Sequence, residues 1–225
     1  MKKLLRARVP VPGAVKPILR ALYELWIIGR IASRRVYVMF IAEPLFRARC
    51  VEAGEGLEMC SLPVIQGHTE IHIGEGVTFT GELRIHSGRF FDHPQLVIKD
   101  RAIVGAGTRV IANKEVVIEE DVIIAPNCRL SDCDGHPREA HLRAKGEPPN
   151  ANRDIRPVRI CRSAWVGTGS CVMKGVTIGE GAIIGANSVV ITDIPPYCLA
   201  MGNPAEVYFH NVGRPPKGTV AADGK

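Results

Sequence analysis

Residues 158–190 read VRICRSAWVGTGSCVMKGVTIGEGAIIGANSVV, and two kinds of side chain recur in this stretch at every sixth position. The first set is aliphatic and consists of Ile160, Val166, Val172, Ile178, Ile184 and Val190. The second set lies two positions earlier and is small or short: Val158, Ala164, Ser170, Val176, Ala182 and Ser188. A period of six matches neither the 3.6-residue turn of an α-helix nor the alternation of a flat strand. It predicts a coil in which three short parallel strands make one turn and the aliphatic side chains fill the centre.

Weaker copies of this period extend the coil toward the N-terminus. They occur at Ile73, Phe79 and Ile85, at Ile98, Val104 and Val110, and at Ile118, Ile124 and Leu130. Such a coil buries its apolar face only by stacking turn on turn, so equivalent positions should meet in columns. The run Asp193-Ile194-Pro195-Pro196 is predicted to end the coil, because two prolines cannot continue a ladder of hydrogen bonds. The coil is therefore predicted to be the domain at residues 56–207, and residues 208–225 a flexible tail.

The longest break in the repeat is residues 131–157, SDCDGHPREAHLRAKGEPPNANRDIRP, which is rich in charge, Pro, Gly and Asn. Long loops that leave a rigid scaffold often carry functional groups. His136 stands near the start of this loop, between Gly135 and Pro137, and follows Asp132 and Asp134. We therefore expect the chemistry of the protein to lie on this protruding loop.

The N-terminal part of the chain is strongly basic. Its first 50 residues hold eleven Lys or Arg against Glu24 and Glu43, whereas the whole chain has a net charge of +6. Residues 1–55 are predicted to be a basic amphipathic helical segment, too charged to cross a membrane. The pattern favours a helical cap packed on the coil with its arginines in water, and contact with an anionic membrane surface is the alternative. No nucleic-acid-binding motif accompanies the charge, so nucleic acid is not expected as a partner.

Seven cysteines are scattered through the chain without a C-x-x-C pair. An odd number without paired spacing indicates neither a disulfide framework nor a zinc ribbon. The N-terminus shows no signal-peptide pattern. These features predict a cytoplasmic protein, with peripheral membrane contact by the basic segment left open.

Two stretches carry a resemblance to a known family. The run IIAPNCRLSDCDGHPREAHLRAKGE from Ile123 and the repeat from Ala164 to Val207 closely resemble the galactoside, maltose and nodulation-factor O-acetyltransferases and related bacterial polysaccharide acetyltransferases. The resemblance implies an all-β, left-handed parallel β-helix, because the period alone does not determine the hand of the coil. It also implies acetyl-CoA as co-substrate, no metal, and a homotrimer with its sites between subunits.

The same resemblance implies roles on the loop. The histidine of the family's Gly-His-Pro element is the general base, which assigns that role to His136. An imidazole that takes the proton of an attacking hydroxyl increases the rate of acyl transfer by a factor on the order of a hundred to ten thousand. Asp134 or Asp132 would orient its ring. Asn113, at the end of an upstream run, is the candidate contact for the acceptor sugar.

On the donor side, Trp165 corresponds to the family's tryptophan near the thioester. Thr168 and Ala186 match positions that contact the pantetheine arm. The basic residues usual after the Gly-x-Pro-Ala element are replaced here by Glu206. Lys174 and Arg162 are therefore the candidates to contact the CoA phosphates.

These observations predict an acetyl-CoA-dependent O-acetyltransferase that acts on a sugar hydroxyl in cell-surface polysaccharide or O-antigen biosynthesis. N-acetylation of an amino sugar remains an alternative, because the same base and groove would serve it. A zinc hydratase resembling the γ-class carbonic anhydrases would need three histidines around an open metal position, and His136 and His141 supply two. His86 and His93 are expected at the surface or in an interface. A non-catalytic scaffold would not need the long loop.

Overall fold

The computed structural model describes residues 11–214. After a short 3-10 turn, the chain forms helix α1 (Lys16–Tyr37), a π-helical turn (Val38–Ala42) and helix α2 (Glu43–Arg49). Helices α3 (Ala140–Ala144) and α4 (Ala151–Asp154) lie together in the later break of the repeat. The rest of the described chain is built from short strands.

Three strands make each of six coils. In chain order they are β1 (Glu52–Ala53), β2 (Glu58–Met59) and β3 (Val64–Gln66); β4 (Glu70–Ile73), β5 (Thr78–Phe79) and β6 (Arg84–His86); β7 (Gln95–Ile98), β8 (Ile103–Val104) and β9 (Arg109–Ile111); β10 (Glu115–Ile118), β11 (Ile123–Ile124) and β12 (Arg129–Ser131); β13 (Val158–Ile160), β14 (Trp165–Val166) and β15 (Cys171–Val172); β16 (Thr177–Ile178), β17 (Ile183–Ile184) and β18 (Val189–Val190). Strands β19 (Leu199–Gly202) and β20 (Ala205–Phe209) follow.

The first strands of the coils pair in parallel as sheet A, the second strands as sheet B and the third strands as sheet C. Each turn of the chain therefore has an A/B corner, a B/C corner and a C/A corner. Parallel neighbours in register are about 4.8 Å apart, so the coils stack closely. This arrangement fits the left-handed parallel β-helix expected for the sequence.

The core consists of side-chain columns that run through the stacked coils. One column on sheet A joins six buried isoleucines in register: Ile73, Ile98, Ile118, Ile160, Ile178 and Ile194. Equivalent columns on the other two sheets contain the remaining aliphatic residues of the period. The predicted inward set is confirmed, because every member from Ile160 to Val190 is buried.

The end of the coil differs from its prediction. Ile194 forms a parallel bridge to Ile178, and β19 continues sheet B beside β17, so the coil does not end at the prolines. Pro195 and Pro196 lie at the A/B corner, where the sheet needs no N–H donor from them. Strand β20 then pairs antiparallel with β19 and covers the last edge.

The predicted boundaries of the terminal segments also change. Strand β1 begins at Glu52, so the coil starts inside the segment predicted as helical. At the other end, Tyr208 and Phe209 belong to β20 and the N–H of Val212 donates to the carbonyl of Tyr197. Residues 208–214 are therefore ordered against the coil, and the rest of the predicted tail lies outside the described residues.

The N-terminal helices meet the coil only at its first turns. Phe46 of α2 is fully buried and packs edge-to-face on Phe79, with ring centroids 5.7 Å apart. Helix α1 has no buried residue, so its apolar side chains do not pack on the coil in the single chain. Within residues 11–214, no helix is both long and apolar enough to cross a bilayer.

Candidate active site

Residues 132–157, here called the excursion, leave the coil after β12 and return at β13, so they emerge at the C/A corner. The excursion contains α3 and α4, which were not predicted from its composition. Its two ends are joined, because Cys133 and Ile155 form an antiparallel bridge and the N–H of Arg156 donates to the carbonyl of Asp132 at 2.9 Å. A closed base of this kind holds the excursion in one place on the coil.

Asp132 lies at this base and is fully buried. Its Oδ2 accepts hydrogen bonds from the backbone N–H groups of Asn113 (2.8 Å), Lys114 (2.6 Å) and Glu115 (3.1 Å). Burial raises the pKa of the Asp132 carboxyl group, and these N–H donors oppose the rise. The carboxylate therefore fastens the excursion to the corner between β9 and β10. Within residues 11–214 the carboxylate forms hydrogen bonds only with that corner, so Asp132 does not orient His136 in the single chain.

Asn113 is part of the same fastening. Its Nδ2 donates to Asp132 Oδ1 at 3.1 Å, and its Oδ1 accepts from the N–H of Gly88 at 2.7 Å. The residue is only 3% exposed. Both ends of the amide are used and little of it reaches solvent, so Asn113 has a structural role in the single chain, and its contact with the acceptor stays a prediction.

Lys174 lies at the next C/A corner along the coil, and the excursion folds over it. Its Nζ contacts the carboxylate of Asp134 directly and lies 3.7 Å from Oδ1 of Asp154. The Lys174 side chain is 5% exposed. The prediction that Lys174 contacts the CoA phosphates is therefore corrected, because its charge is satisfied inside the excursion.

Asp154 was not singled out from the sequence, although it completes this cluster. Its side chain is fully buried, and Arg153 donates to it through Nε (2.9 Å) and Nη2 (2.8 Å). Arg153 is the main reason that the pKa of Asp154 is lowered, and Lys174 adds to the effect. A signal existed in the sequence, because Asn150 is a good helix N-cap residue and begins the turn that ends at Asp154.

His136 is exposed on the excursion, between Gly135 and the buried Pro137. Within residues 11–214, its ring forms no hydrogen bond, and Asp134 contacts Lys174 and Arg138 instead. The expected pairing of Asp134 with His136 is thus not formed in the single chain. The imidazole of His136 is therefore exposed to solvent, on an excursion that is held at its base.

The predicted donor residues lie on sheet B and at the B/C corner. Trp165 of β14 is 49% exposed and pairs in register with Ile123 and Ile183 on the neighbouring coils. Thr168 and Ala186 are exposed at equivalent places on consecutive coils. In the part of the chain that the structure describes, their backbone N–H groups donate no hydrogen bond. These three residues are therefore brought together, but at a different corner from the excursion.

The second phosphate candidate, Arg162, faces an open cavity of about 670 Å³ at the A/B corner. Its Nε lies 3.7 Å from Glu120, and its N–H donates to Glu119 at 3.0 Å. Four carboxylates and two cationic side chains line this cavity: Glu119, Glu120, Glu180, Asp193, Lys99 and Arg162. An excess of negative charge does not favour a phosphate, so the prediction for Arg162 is not supported.

The other histidines do not join His136. His93 is exposed and pairs with Glu70 at 2.6 Å, which raises the pKa of the imidazole. His141 is exposed in α3, and His86 lies on the outer side of sheet C. Across residues 11–214, no three His, Cys, Asp or Glu side chains are grouped to hold a metal ion.

Comparison with known proteins places the repeat in context. Residues 157–192 match the family described as bacterial transferase hexapeptide (six repeats). The chain is 36% identical over 132 residues to the galactoside O-acetyltransferase of Escherichia coli strain K12, covering 58% of this chain and 56% of that protein. It is 30% identical over 158 residues to the "Probable acetyltransferase Rv3034c" of Mycobacterium tuberculosis, covering 68% of this chain and 48% of that protein. The chain thus spans about half the length of these curated relatives.

Solved structures share the architecture. The N-acyltransferase AntD from Bacillus cereus, crystallised with dTDP and 3-hydroxybutyryl-CoA, has a TM-score of 0.59 at 15% identity, covering 74% of this chain and 86% of that chain. A hexapeptide-repeat-containing acetyltransferase from Vibrio cholerae has a TM-score of 0.51 at 21% identity, covering 75% of this chain and 78% of that chain. At these identities the likeness establishes the coil fold alone.

Proposed function

Since this chain belongs to the hexapeptide-repeat transferases, we propose that it is an acetyl-CoA-dependent O-acetyltransferase acting on a sugar hydroxyl. The observation that carries the proposal is the exposed His136 on an excursion braced at its base by Asp132 and over its length by Lys174. An exposed imidazole on a held support is what proton transfer to and from a bound substrate requires. The similarity to a galactoside O-acetyltransferase supports the acceptor class.

The chemistry assigned to His136 is general base catalysis. A sugar hydroxyl is a weak nucleophile near neutral pH, and His136 takes its proton as the oxygen attacks the thioester carbonyl. The new C–O bond forms as the C–S bond breaks, and the proton passes from the imidazole to the CoA sulfur. No acyl-enzyme is needed, because one base serves both proton transfers.

The donor groove is assigned to Trp165, Thr168 and Ala186. The pantetheine arm carries amide carbonyls, and the backbone N–H groups of Thr168 and Ala186 donate no hydrogen bond within the described chain. Packing keeps this corner narrow, because a Cβ added to Gly167 would lie 2.7 Å from the N atom of Ala186. Trp165 adds an exposed apolar plane beside the groove.

The site is proposed to close between the subunits of a homotrimer. One chain carries His136 at the C/A corner and the donor groove at the B/C corner, so a neighbouring chain would bring the two together. Mixing tests this point. His136→Ala and Ala186→Trp subunits, each inactive alone, should regain part of the activity when co-assembled, because some interfaces then pair two intact halves. Absence of recovery in verified mixed trimers would place each site within one chain.

Two measurements test the function itself. Calorimetric titration with acetyl-CoA should give saturable binding near one site per chain, and no binding at millimolar donor would reject the proposal. His136→Ala should keep that binding and lower turnover about a hundredfold or more, whereas His141→Ala, an exposed histidine of the same excursion, should change it little. Acetylation of a matched amino sugar in preference to the hydroxyl would replace O-transfer by N-transfer.

The acceptor is proposed to be a precursor of a cell-surface polysaccharide or O-antigen.

Such a precursor would lie at the cytoplasmic face of a membrane, and α1 is proposed to contact that membrane. Within α1, Ile27 alone is half-buried, and the nearby Arg34 donates to the carbonyl of Cys60 at 2.6 Å, so this side faces the coil. The opposite side carries exposed apolar side chains, among them Ile18, Leu22 and Leu25. Lys16 and four arginines against Glu24 give the helix a positive charge.

An apolar face flanked by cations is typical of helices that lie in an anionic bilayer surface. The full chain should therefore bind vesicles containing phosphatidylglycerol, with a blue shift of tryptophan emission from Trp26, and bind neutral phosphatidylcholine vesicles weakly. Leu22→Glu combined with Leu25→Glu should abolish vesicle binding without changing acetyl-CoA affinity. Equal binding to both vesicles, or binding unchanged by these substitutions, would reject membrane contact by α1.

A further inference from the structure

Three arginines form a row on the outer face of sheet C. Arg84 of β6, Arg109 of β9 and Arg129 of β12 are register partners on three consecutive coils. All three are exposed, and the residues that follow them point into the core. At an interstrand spacing of about 4.8 Å, the three side chains begin within roughly 10 Å of one another. The row thus concentrates positive charge along one line of the coil.

Like charges directly opposite each other on neighbouring strands are unfavourable. Arg84 is compensated by Glu82, whose Oε1 lies 2.6 Å from its Nε. For Arg109 and Arg129, the described chain supplies no ion pair. A coil that stacks identical positions repeats this repulsion, and an anion bound across the row would remove it. Guanidinium groups bind carboxylates and phosphates through two parallel hydrogen bonds.

The row borders a shallow depression of about 310 Å³. Besides Arg84 and Arg109, its outer lining includes Gln66, His86 and Ile111, which form the next register column on sheet C. This column combines hydrogen-bonding side chains with one apolar side chain. Such a mixture suits a sugar ring, which has polar hydroxyls and an apolar face.

The position of the row relative to the excursion indicates its role. Arg129 lies on β12, whose last residue directly precedes the excursion that carries His136. Arg109 and Arg84 lie on the two preceding coils, away from Trp165 and the donor corner on the following coils. A ligand along the row would therefore reach the start of the excursion from the N-terminal coils.

We propose that the acceptor is an acidic carbohydrate, whose carboxylate or phosphate groups pair with Arg109 and Arg129, while Arg84, which pairs with Glu82, lies at the end of the row. The inference rests on the proposed acetyltransferase function and adds the charge class of its substrate. The row binds and orients the acceptor, and His136 acts on its hydroxyl. Because the arginines touch the substrate at a distance from the reacting atoms, they contribute to its affinity more than to turnover.

The test compares three acceptors: an oligogalacturonate, which carries carboxylates, a sugar 1-phosphate, and an uncharged β-galactoside. Arg109→Gln and Arg129→Gln should each raise KM for the acidic acceptor by about tenfold, with turnover at saturation nearly unchanged. Arg101→Gln is the matched control, because Arg101 lies at the A/B corner of the same coil as Arg109 and pairs with Asp121. Arg101→Gln should leave KM for the acidic acceptor unchanged. With the uncharged galactoside, KM should be unchanged in all three variants.

Direct titration of oligogalacturonate and of the sugar phosphate into the wild-type trimer supplies a readout independent of turnover. Binding of one of them that Arg109→Gln weakens identifies whether carboxylates or phosphates are recognised. Acetylation of the uncharged galactoside with no preference for either acid, and no effect of the arginine variants, would overturn this inference while leaving the acetyltransferase intact. A double variant, Arg109→Gln with Arg129→Gln, that dissociates the oligomer would also overturn the inference, because the row would then face a neighbouring subunit.

Discussion

The ammonium group of Lys174 contacts the carboxylate of Asp134, and these two residues are 40 positions apart in the chain. The contact joins the start of the excursion to the corner of the following coil. Asp154, at the far end of the excursion, lies 3.7 Å from the same ammonium group. One buried lysine therefore connects both arms of the excursion to the rigid coil, close to the residue that is proposed to act as base.

Replacement of this lysine should destabilise the excursion. Lys174→Met leaves two carboxylates without their shared cation, and removal of one partner of a buried ion pair costs about 3 kcal/mol. We expect urea unfolding to show this loss, with faster proteolysis of the excursion and lower turnover. Lys99→Met, at an exposed pair with Glu120, should change the free energy of unfolding by less than about 1 kcal/mol. A large rise in the Kd for acetyl-CoA in a stably folded Lys174→Met protein would instead restore a role in phosphate binding.

Replacement of the buried carboxylate of Asp132 should also destabilise the protein. Asp132→Asn keeps the shape of the side chain but turns an NH₂ group either toward the three backbone N–H donors or toward the Nδ2 donor of Asn113. Leaving such buried groups unsatisfied costs about 1–3 kcal/mol each, so the free energy of unfolding should fall by about 2 kcal/mol or more. Hydrogen exchange should show weaker protection at Asn113 and Lys114. Asp121→Asn, at an exposed carboxylate, serves as the control, and equal effects at the two positions would contradict the anchoring role of Asp132.

The pH dependence of stability should reflect Asp154. The pKa of its carboxyl group is lowered in the folded state by Arg153 above all, so its contribution is present above the unfolded pKa of about 3.9 and is lost as pH falls further. The melting temperature of the wild type should therefore decline below about pH 4. Asp154→Asn should start lower at pH 7 and decline less steeply. Parallel curves for the two proteins would show that another group causes the acid lability.

The isoleucine column of sheet A predicts the cost of a core cavity. Ile160→Ala removes a buried side chain between Ile118 and Ile178, which should lower the free energy of unfolding by roughly 2–5 kcal/mol. Ile191→Ala, at an exposed position next to the same repeat, should have an effect below about 0.5 kcal/mol. Chemical unfolding monitored by circular dichroism measures both. A small effect at Ile160 would mean that the column relaxes to fill the space.

Much of the coil was predictable because its evidence is local and repeated. Each inward position recurs every six residues, and stacking of the coils brings these positions together. The core residues could therefore be predicted from their spacing in the sequence. The end of the coil was less predictable. Pro195 and Pro196 predict the end of the coil, but a corner tolerates residues without an N–H, and β19 continues the sheet after them.

The excursion was predictable in location, whereas its contacts were not, and the role of His136 as base stays a prediction. His136 could be recognised from its neighbours on the excursion. The partners of Lys174, Asn113 and Asp134 could not be predicted from the sequence. Each partner depends on which polar group the folded excursion brings within about 3 Å. For α1, the pattern shows that an apolar face exists but not which surface it meets.

The sequence by itself determined the repeat, the inward columns and the place where a histidine-bearing excursion leaves the coil. These properties follow from spacing along the chain, which the backbone converts directly into position. Only the tertiary structure decided that Asp132 and Lys174 brace the excursion, that Asn113 is used internally, and that three arginines meet in one row. Those relationships join residues about 20 to 40 positions apart, and the free energy of a polar contact depends on distance and burial, which spacing along the chain does not specify.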